Sequence, residues 1–476
     1  MIPDQIAFLS ATQALKMFAT FELSPRDLFD AVLKRIASEN ETINAFGDMY
    51  LDNTEKLVEQ AEKRWRNGTA RPLEGILVAV KDAQRVAGQR TTFGSPSLRD
   101  NVASTHDPTI ERLIDAGAII HARTTVSEFC VSGVCVSPMW GTTRNPWNLE
   151  YSPGGSSGGS AAALAAGLTT LATGTDMGGS IRVPASACGV VGYKPPRGRN
   201  PDGAPFNLDR VSHCGPLARS VSDIVLFQSV VAGIHCKDPE SLPNPPVLPN
   251  VAENVSGFRI AWSPDLSYKR VSKEVAANTQ QAIKVFRELG CTCEQVDLGW
   301  TDEIDRAATI WFAFFGTSNM VLDAIASNAS IVSPDLRRLA LEIRQLRNDP
   351  DQLPKVLVVT ADFSAKFEKA TRGFDVFICP TMAVPAVKAD QSMWAKDFKI
   401  EGVEVDPEFG YSMTHQFNLL ATRPVISVPS GRSINGIPTG IQLVGKPFDE
   451  LSVVRLALAY QEVTGDIYIP PRVRTP

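Results

Sequence analysis

Two short stretches gather hydroxyls, glycines and charge in a way that suits acyl chemistry. Residues 151–168 read YSPGGSSGGSAAALAAGL and residues 174–185 read GTDMGGSIRVPA. A serine hydroxyl becomes a nucleophile only beside a base, and the oxyanion it creates needs N–H donors aimed at it. In the second stretch Ser180 follows Gly178 and Gly179 directly. Two adjacent glycines free the backbone to point several amides at one place. From this stretch alone a plain turn is the equal alternative.

The first stretch admits three readings. Its composition suits a flexible linker, but the alanine-rich run from Ala161 makes a sharp turn feeding a helix the better account. A phosphate loop requires GxxxxGK[ST], and no lysine stands where that motif needs one. Gly154 to Gly158 matches the GxSxG elbow of serine hydrolases, which needs an apolar strand before it and a later histidine. Residues 144–153, RNPWNLEYSP, hold two prolines and no apolar run, and the later histidines are His213, His235 and His415. The elbow fits its context poorly.

The elements that must carry these groups alternate. The apolar run ILVAV at 76–80, closed by Lys81-Asp82, reads as a buried strand. Thr109 to Gly117 reads as a helix with a glycine C-cap, and Ala118 to Ala122 as the next strand. Thr169 to Thr173 reads as a strand entering the turn at Asp176–Ser180. Phe258–Trp262, Cys293–Leu298, Phe374–Cys379 and Val425–Val428 repeat the strand signal, with an amphipathic helix over Glu274–Leu289. The alternation predicts an α/β fold. Residues 1–70 look helical, with Ser24 as N-cap and Pro25 at the first helical position, and are expected to cover the core. The proline-rich stretch at 239–250 reads as a surface connection inside one large domain.

At 476 residues, 43% apolar, 21% charged and a formal charge of −5, the chain is an ordinary globular protein without a basic block for nucleic acid. The N-terminus lacks the pattern of a secretory signal, and no run of about 18 strongly apolar residues predicts a membrane span. Eight cysteines form no CxxC pair, and HExxH is absent, so no metal site is expected. Buried thiols in a reducing cytosol, and hence a cytoplasmic protein, are the expectation.

Taken together, residues 145–167 and 174–195 closely resemble the amidase signature family of serine hydrolases. Residues 91–95, 116–129, 374–381 and 418–431 also look like it. The likeness is strong from about 75 to 200 and looser in the C-terminal third, and residues 235–370 match little. The resemblance implies a central mixed β-sheet covered by α-helices on both sides, over a catalytic domain of residues 71–476. It implies a Ser–Ser–Lys triad of Lys81 as base, Ser156 as bridging serine behind a cis peptide, and Ser180 as acyl-forming nucleophile. The N–H groups of Met177, Gly178, Gly179 and Ser180 would form the oxyanion hole, and Cys130 falls where the family touches substrate. Asp176 and Arg182 are expected to fix the nucleophile loop. Lys194, before two prolines, is the rival base.

A lysine is protonated at its ordinary pKa near 10.4, so the chemistry requires burial to lower it. The implied activity is hydrolysis of carboxamides, with aryl amides, carbamates or esters among the options. It would release a carboxylate and ammonia or an amine, without a cofactor. The implied partner is a small-molecule amide, with no nucleic acid and no membrane span; a homodimer is left open. One alternative is the glutaminase subunit of a tRNA-dependent amidotransferase. Ala83 after Lys81-Asp82 and the absence of that subunit's tyrosine-rich segment weigh against it. The other is an inactive binding protein on the same scaffold. An aromatic run such as 310–315 is more often core than pocket, but part of it is expected to line an apolar acyl or aryl site, with Trp311 and Phe314 as the positions to test.

Overall fold

Leu77–Lys81 carries no polar alternation because both of its faces are covered: every one of its residues is buried. In the computed structural model, which describes residues 2–465, this strand lies inside one sheet. Among the described residues the sheet has eleven strands. They run in the order Phe46–Met49, Ile119–Thr124, Leu77–Lys81, Leu171–Asp176, His213–Ala218, Val191–Lys194, Val425–Arg432, Pro438–Gly445, Val376–Pro380, Arg259–Trp262 and Thr292–Gln295. Leu77–Lys81 is parallel to both of its neighbours, whereas Val425–Arg432 and Pro438–Gly445 are antiparallel. The sheet is therefore mixed, and the fold is α/β.

Alternation along the later strands shows where the two cores lie. Ile378, Ile426, Ile441 and Leu443 pack with Ile283, Phe286 and Val454 on one face. Phe377, Val425 and Val444 turn the other way, toward Ala307, Ile310 and Phe363. Helices Lys273–Glu288 and Glu450–Val463 thus cover the first face, and Glu303–Phe314 and Gln352–Ala370 the second. The period-2 register of each strand makes both layers obligatory.

The N-terminal region departs in one respect from the helical expectation. Its helices form, with Ser24 and Asp27 closing a capping box before Pro25–Ile43. Phe46–Met49, however, is an edge strand paired antiparallel with Ile119–Thr124. Four residues with two small or charged members give too little pattern to detect. The N-terminal segment is also stitched to the middle of the chain. Asp223 accepts the Ala11 and Thr12 amides at 3.0 and 2.9 Å, and Arg219 donates to Leu9 O at 2.6 Å and Thr169 O at 2.7 Å.

No helix or strand forms between Val231 and Arg259, where the proline-rich stretch lies. No single helix among the described residues is long and apolar enough to cross a membrane. All eight cysteines are free; six are buried, Cys130 is half-buried and Cys236 is exposed.

Candidate active site

Lys81 and Asp176 are the last residues of two adjacent parallel strands, so the sheet delivers both side chains to one edge. Ligands of open α/β sheets bind outside that carboxyl edge. A cavity of about 560 Å³ opens there, lined among others by Cys130, Gly155, Met177, Gly178, Gly179 and Ser180.

Lys81 is 0% exposed, and its Nζ donates to Ser156 Oγ at 2.8 Å and Thr175 Oγ1 at 2.7 Å. Burial lowers its pKa, and the pull of Cys130 and Asp176 in the opposite direction does not restore it. A buried amine with two hydroxyl partners and no carboxylate partner is poised to be neutral. Cys130 reaches both Lys81 and Ser156.

Ser156 sits in an irregular turn ahead of the helix Gly158–Ala165, and the Gly155–Ser156 peptide bond is cis. The alanine helix must come very close to its neighbours. A Cβ on Gly159 would lie 2.4 Å from Thr125 Oγ1, and Ser160 donates to Thr173 O at 2.9 Å. The glycines are there for this approach, which seats Ser156 over Lys81. No strand precedes Ser156, and none of the three later histidines bonds it, so the elbow reading falls. Lys194 Nζ is spent on Arg423 O at 2.8 Å and bonds neither Ser156 nor Ser180, which leaves it structural.

Ser180 lines the cavity, and its hydroxyl has no hydrogen-bond partner among the described residues. The expected Ser156–Ser180 link is thus not formed, whereas the Lys81–Ser156 link is. The turn before Ser180 is held from below. Asp176 accepts from the amides of Gly179 at 2.8 Å and Ile181 at 3.2 Å, and from Arg182 Nε and Nη2, each at 3.0 Å. Asn418 Nδ2 adds a bond at 2.8 Å. Burial would push the Asp176 carboxyl up, but the Arg182 guanidinium outweighs it and holds the group well below the usual carboxylate range.

This corrects one expected donor. The Gly179 N–H is consumed by Asp176, because a buried carboxylate demands donors. The amides of Met177, Gly178 and Ser180 donate to no protein acceptor among the described residues. Thr414 Oγ1, which composition alone gave no reason to single out, donates to Gly178 O at 2.6 Å. A Cβ on Gly179, at φ +122°, would lie 1.9 Å from that hydroxyl, so only glycine fits. Together these contacts hold the Gly178 carbonyl pinned and the Met177, Gly178 and Ser180 amides unpaired.

Replacing Arg182 by methionine is expected to cost about 3–5 kcal/mol, because it strands the Asp176 charge in the interior. Urea denaturation of the variant measures this, and adding Asp176→Asn should restore part of the loss. The Asp176 contribution is present above the unfolded carboxylate range and disappears as pH falls toward its depressed folded value.

Part of the aromatic run lines the cavity, though not at the two positions singled out for testing. Phe312 and Phe315 line the cavity, while Trp311 lies in the core with its indole N–H on Asp209 at 3.0 Å, and Phe314 faces a neighbouring helix cluster. One residue along a helix turns a side chain by about 100°, so adjacent aromatics cannot share a face. Trp311 instead backs Phe315, ring to ring at 4.5 Å.

Comparison with known proteins bears on the family and the fold. The family model described as "Amidase" matches residues 27–454. A glutamyl-tRNA(Gln) amidotransferase subunit of Symbiobacterium thermophilum is 31% identical over 482 residues, covering 96% of this chain and 97% of that one. An acylamidase of Rhodococcus erythropolis is 29% identical, with 97% of each chain covered. The crystal structure of a bacterial aryl acylamidase of the amidase signature enzymes superposes with a TM-score of 0.90 at 25% identity, covering 98% of this chain and 99% of that one.

Proposed function

The chain belongs to the amidase family, and from that premise we propose that Ser180 is its nucleophile, Ser156 its proton bridge and Lys81 its base. The protein is a hydrolase of amide carbon–nitrogen bonds. The observation that carries the assignment of residues is the 2.8 Å bond from the buried Lys81 amine to Ser156, at the foot of a cavity that Ser180 lines.

On this reading neutral Lys81 takes the Ser156 proton as Ser156 takes that of Ser180. Ser180 Oγ bonds to the carbonyl carbon, and the carbonyl electron pair moves onto oxygen. The free amides of Met177, Gly178 and Ser180 stabilise that oxyanion. As the pair returns, the carbon–nitrogen bond breaks, and the departing nitrogen receives the proton back through Ser156. Water then cleaves the ester by the same relay. The Ser156–Ser180 contact forms when substrate is bound, as hydrogen bonds of catalytic groups commonly tighten only then. Ser–Lys pairing is a known variant of the triad arrangement.

The substrate on this reading is a small carboxamide with an apolar acyl or aryl group against Phe312 and Phe315. Eight unpaired thiols support a cytoplasmic setting. A fluorophosphonate probe should form one adduct, mapped by peptide mass spectrometry to Ser180. An adduct on another residue overturns the assignment. The 31% identity to the amidotransferase component supports a second reading, membership of such a complex. Co-purification with other subunits and glutamine-dependent ammonia release would favour it over free amide hydrolysis.

A further inference from the structure

The lining of the cavity has an imbalance of charge that the proton relay does not use. Asp406 and Glu408 come from the loop after the short Val403–Glu404 strand, and Glu342 from the helix Pro334–Arg347. Asp397 and Glu404 add two more carboxylates and, like Asp406, are exposed. Only Arg338 and Lys396 oppose them on the lining, and the Arg338 guanidinium stacks over the Trp394 ring at 4.2 Å.

The carboxylates differ in how they are satisfied. Asp406 Oδ1 accepts the amides of Glu408 at 2.9 Å and Phe409 at 2.6 Å. Glu408 accepts the Gly133 amide at 2.7 Å and Ser132 Oγ at 3.2 Å. Glu342 makes no hydrogen bond or ion pair with any described residue. Tyr411 gives a second, independent sign of a missing partner. It is 1% exposed, its hydroxyl has no hydrogen-bond partner among the described residues, and the group stands at the cavity wall against Gly133. A buried phenol without a partner is costly, and a ligand that supplies one offsets the cost.

We propose that Glu342, Asp406 and Glu408, with Tyr411, form a subsite for a cationic amino group, so that the preferred substrates are amides bearing a protonated amine on an apolar arm. This rests on the reading of Ser180 as nucleophile only in making the cavity the substrate's. Phe312, Phe315 and Leu339 supply the apolar stretch that the arm would cross. The ammonium would satisfy the acceptor that Glu342 leaves empty and relieve repulsion among the carboxylates. An ammonium here would also draw the carboxyls back toward their charged forms. Burial, then Asp406, raises Glu342 against the pull of Arg338, and burial pushes Glu408 up to about 7, with Asp406 and Asp335 adding to it.

Calorimetric titration of the intact protein with benzylammonium, benzyl alcohol and benzoate at neutral pH tests the subsite without relying on turnover. Benzylammonium should bind about tenfold or more tightly than benzyl alcohol, the scale of a hydrogen bond to a charged group, and benzoate most weakly. Glu342→Gln and Asp406→Asn should each shrink the ammonium-to-alcohol ratio, and Glu342→Asp should retain more of it than Glu342→Gln. Equal or weaker binding of the ammonium, or a ratio untouched by both neutralising variants, overturns the subsite. Ser180 labelling is read separately: a labelled Ser180 with no ammonium preference sinks this inference and leaves the proposed nucleophile standing.

Discussion

Ser180→Ala is expected to lower kcat/KM for any amide substrate by about 10⁴- to 10⁶-fold, with the fluorophosphonate adduct lost as well. The two neighbouring serines are not placed to replace it. Ser156 is committed to Lys81, and Ser157 donates weakly to Thr175 O at 3.4 Å. The folded state should be little affected, because Ser180 Oγ bonds nothing among the described residues. Denaturation midpoints of the two proteins should therefore agree while their rates differ by orders of magnitude. The double variant Ser180→Ala, Lys81→Met should be no slower than the single one, since groups that act as one unit are not additive. A residual rate within about tenfold of the unaltered enzyme would remove Ser180 from the mechanism.

Lys81→Met is expected to cost about 10²- to 10⁴-fold in kcat/KM, the range of a general base. Its pH signature separates a base from a merely structural amine. Because burial lowers the Lys81 pKa, the unaltered enzyme should gain activity as pH rises through that lowered value and hold it above. The variant should lose this acid limb. Stability moves the other way from the usual expectation for removing a buried polar group. Between the lowered folded pKa and the unfolded value near 10.4, the unfolded chain binds a proton that the folded one does not, so stability rises with pH across that window. Methionine abolishes this dependence and keeps the apolar stem, so the variant should be at least as stable at neutral pH. Urea denaturation at several pH values checks both signs.

The proposed trio was legible because its members lie in two long motifs and at the end of a strand whose apolar run is unmistakable. Burial of Lys81 was required by the implied chemistry and not by ILVAV, since a lysine that closes a strand usually reaches out to solvent; here both faces of the strand are covered and the lysine stays in. The Leu171–Asp176 strand starts two residues and ends three residues beyond its reading, because Thr169 and Thr170 suit strands while Gly174 does not. What stayed hidden depends on tertiary partners. Nothing in the local pattern says that the Gly179 amide turns down to Asp176, that Thr414 crosses 236 residues to pin Gly178, or that Phe312 outranks Trp311 as a wall. Strand Val191–Lys194 was equally hidden: its four residues include a glycine and a lysine, and only pairing with Val425–Arg432 and His213–Ala218 makes them a strand.

The stitching of residues 7–12 to Arg219 and Asp223 bears on how the polypeptide is made. These partners are more than two hundred positions apart, so the helix Ala11–Ala19 can pack early through Phe18 against Trp65 but gains Asp223 only once nearly half of the chain has been synthesised. Late closure of such a long loop slows assembly and leaves the apolar side of that helix only partly covered meanwhile. Translation that stalls before position 219 would therefore leave a sticky nascent species, and chaperone capture should be greatest there.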